Sequence, residues 1–255
     1  MMKRFVGLLL LALALCGSAA QAQVAFVQNA FNGSQAGVTS LTATFGAGVG
    51  SGHFVIGTVT DGLGTTIAIT SITDGHGNNP TALIDNVFAA GGPFATATFY
   101  YANVTNGATA FTYSTPGAPG TTGIAVQEWS GVALSSPIDA HNMVLGANST
   151  TQTTPTITST ANGDGVYASI AGTTTGFSTV SAAGGSGATF TLRNNDASNN
   201  IVFDSSAIQT TAGNVTATFT ISPANVYMTA IVAFKAAGGA AIAKPRLMPL
   251  TGAGR

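Results

Sequence analysis

The side chains in this sequence that could carry out catalysis are few and far apart. A glycoside hydrolase needs two carboxylates about 5–9.5 Å apart on either side of the sugar. Glu128, the only glutamate in the chain, and Asp139 are the pair that we would test for that role. The structural interpretation of this pair is simpler, because Glu128 ends a predicted strand and Asp139 begins one, so each can cap a turn.

Zinc and serine chemistry are not indicated. The three histidines, His53, His76 and His141, are irregularly spaced, and none has a second His or Cys at a spacing typical of zinc sites. The Ser- and Gly-rich segments 33–37 and 184–188 do not form the Gly-x-Ser-x-Gly elbow that presents a nucleophilic serine.

Calcium is the most plausible ion, because exported β-sandwiches often hold loops together with oxygen ligands. Asp61, Asp74, Asn78 and Asn79 lie on predicted turns and are the candidate ligands. Their spacing matches no EF-hand loop. Asp and Asn in Gly-rich turns also serve left-handed backbone and side-chain turn bonds, so this second interpretation stays open.

Aromatic residues could form a platform for a glycan, since a ring face is a good partner for the apolar C–H surface of a sugar. Tyr100, Tyr101 and Trp129 are the candidates. Successive strand residues point to opposite faces, so either Tyr100 or Tyr101 should point outward. We expect Trp129 in the core.

Strands and turns must position all of these residues. Turn signals recur every 8–12 residues and β-branched threonine is abundant, which is typical of an all-β sandwich. The clearest signal is a predicted hairpin of 95–101 and 110–114 around the turn Asn106-Gly107. The predicted strands are 23–29, 40–45, 54–59, 67–72, 82–88, 95–101, 110–114, 124–129, 140–145, 153–160, 166–173, 177–181, 189–194, 201–208, 215–221 and 227–234.

The sequence contains a weak internal repeat, which we call the echo. Phe111 to Ser114 matches Phe219 to Ser222 at an offset of 108, Trp129 matches Phe234 at 105, and Gly52 to Gly57 matches Gly163 to Ala168 at 111. The echo predicts two related units, about 40–147 and 150–236, which could be separate domains or interleaved halves. Unpaired strand edges favour closing the units on each other. We therefore predict one jelly-roll-like antiparallel β-sandwich domain over 23–236.

The N-terminus predicts export. Residues 1–22 have the pattern of a signal peptide, with two basic residues, an apolar run over 5–15 and the cleavage motif Ala20-Gln21-Ala22. The one cysteine, Cys16, lies inside it, and no later segment approaches the roughly 20 apolar residues of a transmembrane helix. We expect a secreted or periplasmic protein without a disulfide or a transmembrane segment.

Charge is scarce, at 6% of the residues against about 25% in typical domains. Residues 23–239 contain two basic and eight acidic side chains, so the clustered cations that nucleic acid requires are absent there. The Gly-, Ala- and Pro-rich stretch 237–255 is predicted to be a flexible tail.

A resemblance adds to this interpretation. The stretches 128–132 (EWSGV), 136–139 (SPID), 73–78 (TDGHGN) and 231–235 (IVAFK), with the strand opening Gly163-Asp164, resemble exported bacterial and phage-associated β-sandwich modules. The resemblance implies a fold and no particular activity, and His53 departs from the Asp or Asn usual at the strand opening. Two hypotheses follow: a non-enzymatic module that binds a glycan or another surface partner or has a structural or adhesive role, and a carbohydrate-active hydrolase using Glu128 and Asp139.

Overall fold

The computed structural model describes residues 23–88, 94–172, 179–183, 187–195 and 201–238. The predicted signal peptide lies outside the described residues, and so does the predicted tail from residue 239 onward. Both stay predictions.

Eight strands form the N-terminal half of the described chain. Alternation decides their faces: in β2 the apolar Leu41 and Ala43 are buried while Ser40 and Thr44 are exposed. The predicted strand 67–72 is instead a short 3-10 turn, Ile69–Ser71, that leads into a strand. The strands are β1 (Ala25–Ser34), β2 (Ser40–Thr44), β3 (His53–Asp61), β4 (Ile72–Asp74), β5 (Ala82–Phe88), β6 (Ala95–Val104), β7 (Ala110–Ser114) and β8 (Thr122–Ser130).

Ten strands form the C-terminal half. Each of the predicted strands 153–160 and 215–221 covers parts of two strands here. The strands are β9 (Ile138–Leu145), β10 (Ser149–Thr153), β11 (Ile157–Ser159), β12 (Asp164–Ala171), β13 (Thr179–Ala183), β14 (Thr191–Asn195), β15 (Val202–Gln209), β16 (Gly213–Val215), β17 (Thr218–Asn225) and β18 (Met228–Phe234).

The strands pair antiparallel into layered sheets. The inner N sheet has the order β1-β8-β3-β6-β5 and the outer N sheet β2-β7-β4. The inner C sheet has the order β9-β18-β12-β15-β14, the outer C sheet β10-β17-β13, and β11 and β16 form a small ribbon. The predicted all-β antiparallel sandwich class is confirmed.

The arrangement of the halves differs from the interleaving that we favoured. None of the described sheets contains strands from both halves. Each half has enough strands to build two layers around its own core, with Phe99 and Phe111 in one core and Phe203 and Phe219 in the other. The edges are therefore not closed by exchange of strands. Whether the halves unfold as one unit stays a prediction.

The predicted hairpin is wrong in its pairing, although both strands exist. β6 pairs with β3 and β5 in the inner N sheet, whereas β7 pairs with β2 and β4 in the outer N sheet. Gly107 has the left-handed φ of 67° that the Asn-Gly signal predicts. The turn thus carries the chain across the sandwich from one sheet to the other.

The two inner sheets pack face to face through a third apolar cluster. Phe54 and Trp129 of the N-terminal half contact Phe234 with ring centroids 5.0 and 5.1 Å apart, and Ile56 and Tyr167 belong to the same cluster. A large apolar face of each half is thereby removed from water, which favours the association.

Polar groups also cross this interface. Gln127 donates a hydrogen bond of 2.6 Å to the buried Asp204, Asn194 donates one of 2.5 Å to the same carboxylate, and Asn29 donates to Asn194 at 2.5 Å. Buried polar groups are tolerated when they are paired in this way.

Both halves carry a β-bulge at a corresponding position. The register of β1 on β8 shifts between Phe26 and Gln28, which leaves Val27 as the extra residue. The register of β9 on β18 shifts at Phe234, the counterpart of Trp129, and leaves Asp139 as the extra residue. Among the described strands, β1 lies at one edge of the inner N sheet and β9 at one edge of the inner C sheet, with β5 and β14 at the other edges. No helix within the described ranges has the length and apolarity of a membrane span.

Candidate functional site

A polar groove of about 300 Å³ lies where the β4–β5 loop meets the end of β6 and the following turn. Two predicted candidate sets overlap here, since the groove contains three of the predicted calcium ligands and one of the predicted aromatic residues. Amide and hydroxyl side chains dominate its wall. The lining residues are Asp74, Asn78, Asn79, Thr81, Tyr101, Ala102, Asn103, Val104, Thr105 and Asn106.

Asp74 is the charged group of the groove. Its Oδ1 accepts backbone N–H groups of His76 at 2.9 Å and Asn78 at 2.8 Å, and its Oδ2 accepts the side-chain amides of Asn78 at 3.0 Å and Asn106 at 2.6 Å. Burial opposes ionisation, but these hydrogen bonds outweigh it and lower the pKa of Asp74. Asp74 is therefore an anion at neutral pH and holds its loop in shape.

Tyr101 forms the aromatic part of the wall. The side chain is 5% exposed, and its hydroxyl donates to the Asn78 carbonyl at 3.3 Å. Burial, and secondarily the charge of Asp74, raise the pKa of Tyr101. Its hydroxyl thus remains a neutral hydrogen-bonding group.

The other two predicted aromatic ligands lie elsewhere. Tyr100 points to the face opposite Tyr101, as alternation requires, where it stacks on Phe54 at 5.6 Å and is partly buried against the other half. The prediction that one of the two tyrosines points outward is therefore wrong, because both faces of the inner N sheet are covered. Trp129 is 1% exposed between the inner sheets. The structure therefore does not bring Tyr100, Tyr101 and Trp129 together into one platform.

The predicted calcium ligands divide between two places. Asp74, Asn78 and Asn79 share the groove, and Asn79 donates its amide to the Ile72 carbonyl at 2.8 Å. Asp61 lines a separate pocket of about 310 Å³ with Thr65 and Tyr113. Its carboxylate accepts the Tyr113 hydroxyl and, at 2.9 Å, the Leu63 N–H. Calcium binding at these four residues stays a prediction.

Glu128 is sealed inside the N-terminal half. The side chain is 1% exposed, and its carboxylate contacts the His53 ring nitrogen at 2.5 Å, the Gln28 amide at 2.5 Å and the Gly50 N–H at 2.8 Å. These contacts tie β1, β3 and β8 to the β2–β3 loop. Sequence reasoning missed the role of His53, which replaces the expected Asp or Asn and is the partner of Glu128.

Asp139 belongs to a different neighbourhood. It accepts the Thr160 N–H at 2.5 Å and the Thr160 hydroxyl at 2.6 Å in the C-terminal half. Among the described residues it shares no hydrogen-bond partner with Glu128. Arg193 stacks its guanidinium over the Phe26 ring at 3.9 Å.

Rows of hydroxyl groups cover the outer N sheet beside the groove. Thr42 and Thr73 both pair with Thr112 in the register, and the Thr42 and Thr112 hydroxyls are 2.8 Å apart. Neighbouring strands lie about 4.8 Å apart and alternate residues about 6.7 Å apart along a strand. Thr73 directly precedes Asp74 in β4, and successive strand residues point to opposite faces, so the threonine rows and the Asp74 carboxylate lie on different faces of the outer N sheet.

No protein-family model matches the chain, and neither a curated protein nor a solved structure is similar to it. The ligand of the groove therefore has to be inferred from its own side chains. The signals that sequence reasoning missed there are Thr81, Asn103 and Asn106. The left-handed φ of 53° at Asn103 is a backbone feature for which the sequence gives no pattern.

Proposed function

We propose that this protein is an exported, non-enzymatic β-sandwich module that binds a neutral, hydroxyl-rich glycan in the groove around Asp74. The observation that carries the proposal is the convergence of one carboxylate and several side-chain amides beside the Tyr101 ring. Asp74 holds the loop in shape, and the side-chain amides around it can both donate hydrogen bonds to and accept them from the hydroxyl groups of a sugar.

The surroundings support a neutral ligand. The groove has one anion, Asp74, and contains no cationic side chain, which disfavours phosphorylated or sulfated ligands. The threonine rows of the outer N sheet give the same half a second uncharged polar surface, which also suits a neutral polysaccharide. A ligand on a cell surface or in a matrix would give the module its adhesive role.

The carbohydrate-active hydrolase is the alternative. It would use Glu128 and Asp139, but the Glu128 carboxylate is 1% exposed and holds three donors. A sugar could reach it only if β1 and the β2–β3 loop moved away. The sealed Glu128 therefore favours binding without hydrolysis.

Duplication of a jelly-roll unit is our proposal for the origin of the two halves. If β11 and β16 are set aside, both halves have the strand order 1-8-3-6-5 over 2-7-4. The common bulge and the sequence offsets support the same origin. Export rests on the predicted signal peptide at 1–22, and we propose a secreted or periplasmic location.

The test is binding of the mature chain to a panel of neutral and anionic polysaccharides, measured by affinity electrophoresis and isothermal titration calorimetry. Asn103→Gly removes an amide from the groove while it keeps the left-handed backbone, and Tyr101→Phe removes the hydroxyl. Asn214→Ala is the matched control, since Asn214 corresponds to Asn106 in the echo but bonds Thr158 in the C-terminal half.

We expect binding to a neutral polysaccharide that Asn103→Gly and Tyr101→Phe each weaken at least fivefold and that Asn214→Ala leaves unchanged. Equal binding by all four proteins would place the ligand elsewhere. Release of reducing ends from the polysaccharide by the purified protein, and its loss in Glu128→Gln, would favour the hydrolase instead.

A further inference from the structure

A second carboxylate faces Asp139 in the corner between β9 and β12. Asp164, the first residue of β12, is 0% exposed, and neither of its oxygens has a hydrogen-bond partner in the described part of the protein. Asp139 lies in the bulge of β9 and is held by Thr160. Phe234 of β18 pairs with Ile138 on one side and with Gly165 on the other, which places Asp139 and Asp164 at the same end of the sheet. Asp164 is buried there, and Asp139 is partly exposed.

The charges around this corner do not neutralise the pair. Burial and then the Asp139 carboxylate raise the pKa of Asp164 to about 7, and the Ala236 N–H and the Lys235 ammonium offset this only in part. Hydrogen bonds from Thr160 outweigh burial and lower the pKa of Asp139. Lys235 itself donates to the Ser136 carbonyl at 3.5 Å and makes no ion pair with either carboxylate.

The contrast with the groove is informative. Asp74 has both oxygens occupied by N–H donors, and Asp61 accepts one donor on each oxygen. The four N–H donors fill the Asp74 carboxylate, so a cation there would have to displace hydrogen bonds. Asp61 resembles Asp139, which also accepts one donor on each oxygen. Neither oxygen of Asp164 has such a set of donors, and the Ala236 N–H is the one backbone donor that acts on its pKa. An unpartnered buried carboxylate opposite a second one favours a bound positive charge.

We propose that Asp139 and Asp164 bind one hard divalent cation, with Ca²⁺ as the chemical class, in the corner between β9 and β12. The two carboxylates offer up to four oxygens, and the Thr160 hydroxyl oxygen is a further donor at the same place. Ca²⁺ accepts six to eight oxygen ligands in flexible geometry, and backbone carbonyls and water complete such sites. The bound ion would fasten the bulged start of the edge strand β9 to β12.

The test is a Ca²⁺ titration of the chelator-treated full chain at pH 7.5, with calorimetry for stoichiometry and thermal unfolding for stability. Asp164→Asn keeps the shape of the side chain, removes its charge and can donate an N–H to Asp139. Asp139→Asn tests the other ligand. Asp74→Asn is the control for the groove, whose calcium interpretation is independent of this corner.

We expect one Ca²⁺ per chain with a Kd in the range of about 10⁻⁴–10⁻³ M that is usual for extracellular modules. Saturating Ca²⁺ should raise Tm by several degrees. Asp164→Asn and Asp139→Asn should each weaken binding at least tenfold, and Asp74→Asn should not change it. The proposal would be overturned if the Tm of the wild type did not respond to Ca²⁺, or if only Asp74→Asn abolished binding. If Ca²⁺ had no effect and Asp164→Asn raised the Tm, the proposal would also fail, and the two carboxyl groups would share a proton instead.

Discussion

Thr58 and Ser169 occupy corresponding positions of the two halves, 111 residues apart, and their side-chain oxygens are 2.8 Å from each other. Trp129 and Phe234, which correspond at the offset of 105, also contact each other, with ring centroids 5.1 Å apart. Contacts between equivalent residues are the signature of a two-fold interface. The duplication proposed above would produce this pattern, since two copies of one unit that pack through the same face bring equivalent residues together.

Removing the Thr58 hydroxyl should destabilise this interface. The Tyr167 hydroxyl donates to Thr58 at 2.8 Å, so Thr58→Val leaves the buried hydroxyls of Tyr167 and Ser169 without that partner. We expect the free energy of unfolding to fall by about 1–3 kcal/mol, measured by urea denaturation. Thr42→Val is the control, because its hydroxyl pairs with Thr112 on the outer sheet, and it should cost less than about 1 kcal/mol. Equal losses in both variants would contradict the interface role.

A fragment of residues 23–147 should self-associate. It would expose the apolar face of the inner N sheet, including Phe54, Ile56 and Trp129, which the other half covers in the full chain. Sedimentation velocity at several concentrations should show dimers or larger species. A monomeric fragment that melts cooperatively would show instead that the N-terminal half is an independent domain.

Stability should decrease from acidic to alkaline pH through Asp204. Burial raises the pKa of Asp204 to about 7, although Asn194, Gln127 and the Arg193 charge oppose this. Because the folded pKa lies above the ordinary value, the stabilising contribution is present at low pH and is lost as pH rises through about 7. The titratable groups that act on Asp204 among the described residues are Arg193 from β14 and Tyr167 from β12.

For a folded pKa of about 7, we expect the free energy of unfolding to fall by about 2 kcal/mol between pH 5.5 and pH 8. Asp204→Asn mimics the neutral acid and should remove that part of the slope. Urea denaturation at four pH values measures both proteins. A variant whose pH dependence equals that of the wild type would mean that Asp204 stays ionised and satisfied by its donors.

Gly131 should be intolerant of any side chain. Its φ is 70°, and a Cβ there would lie 2.2 Å from the Gln23 carbonyl oxygen, a backbone atom that cannot easily move. Gly163→Ala is the matched control, since φ is 84° but the surrounding space is open. We expect a loss of about 1 kcal/mol for the control from backbone strain alone and a clearly larger drop in Tm for Gly131→Ala. Equal drops would mean that the close approach to Gln23 relaxes without cost.

The strands could be predicted from the sequence because local alternation decides which residues form them. Strands 82–88 and 110–114 have the predicted bounds. Pairing could not be predicted in the same way: Asn106-Gly107 specifies a left-handed turn whether the next strand joins the same sheet or the opposite one. The burial of Glu128 could not be predicted locally either, because its partners His53 and Gln28 lie 75 and 100 residues away in the sequence.

The candidate site was predictable only in part. Asp74, Asn78 and Asn79 are neighbours in sequence, so their gathering follows from one loop. Asp139 lies in a bulge and Asp164 at the start of a strand, 25 residues apart, and neither feature has a local signal strong enough to predict that the two residues are close. In the sequence Asp61 resembles Asp74, because each is followed by a glycine in a predicted turn. In the structure Asp61 ends β3 and lines a different pocket from Asp74.

The bulges at Val27 and Asp139 have a consequence for self-assembly. β1 and β9 expose Val27, Phe31, Val144 and Leu145 on edge strands, and flat apolar edges are templates for fibril growth. A bulge twists the strand locally and interrupts the row of backbone groups that an incoming strand would need. In β9 the bulged residue is Asp139, and a charged side chain on an edge strand further opposes pairing with an incoming strand. In a chain with few charged residues, the two bulges are thus a geometric barrier to polymerisation through β1 and β9.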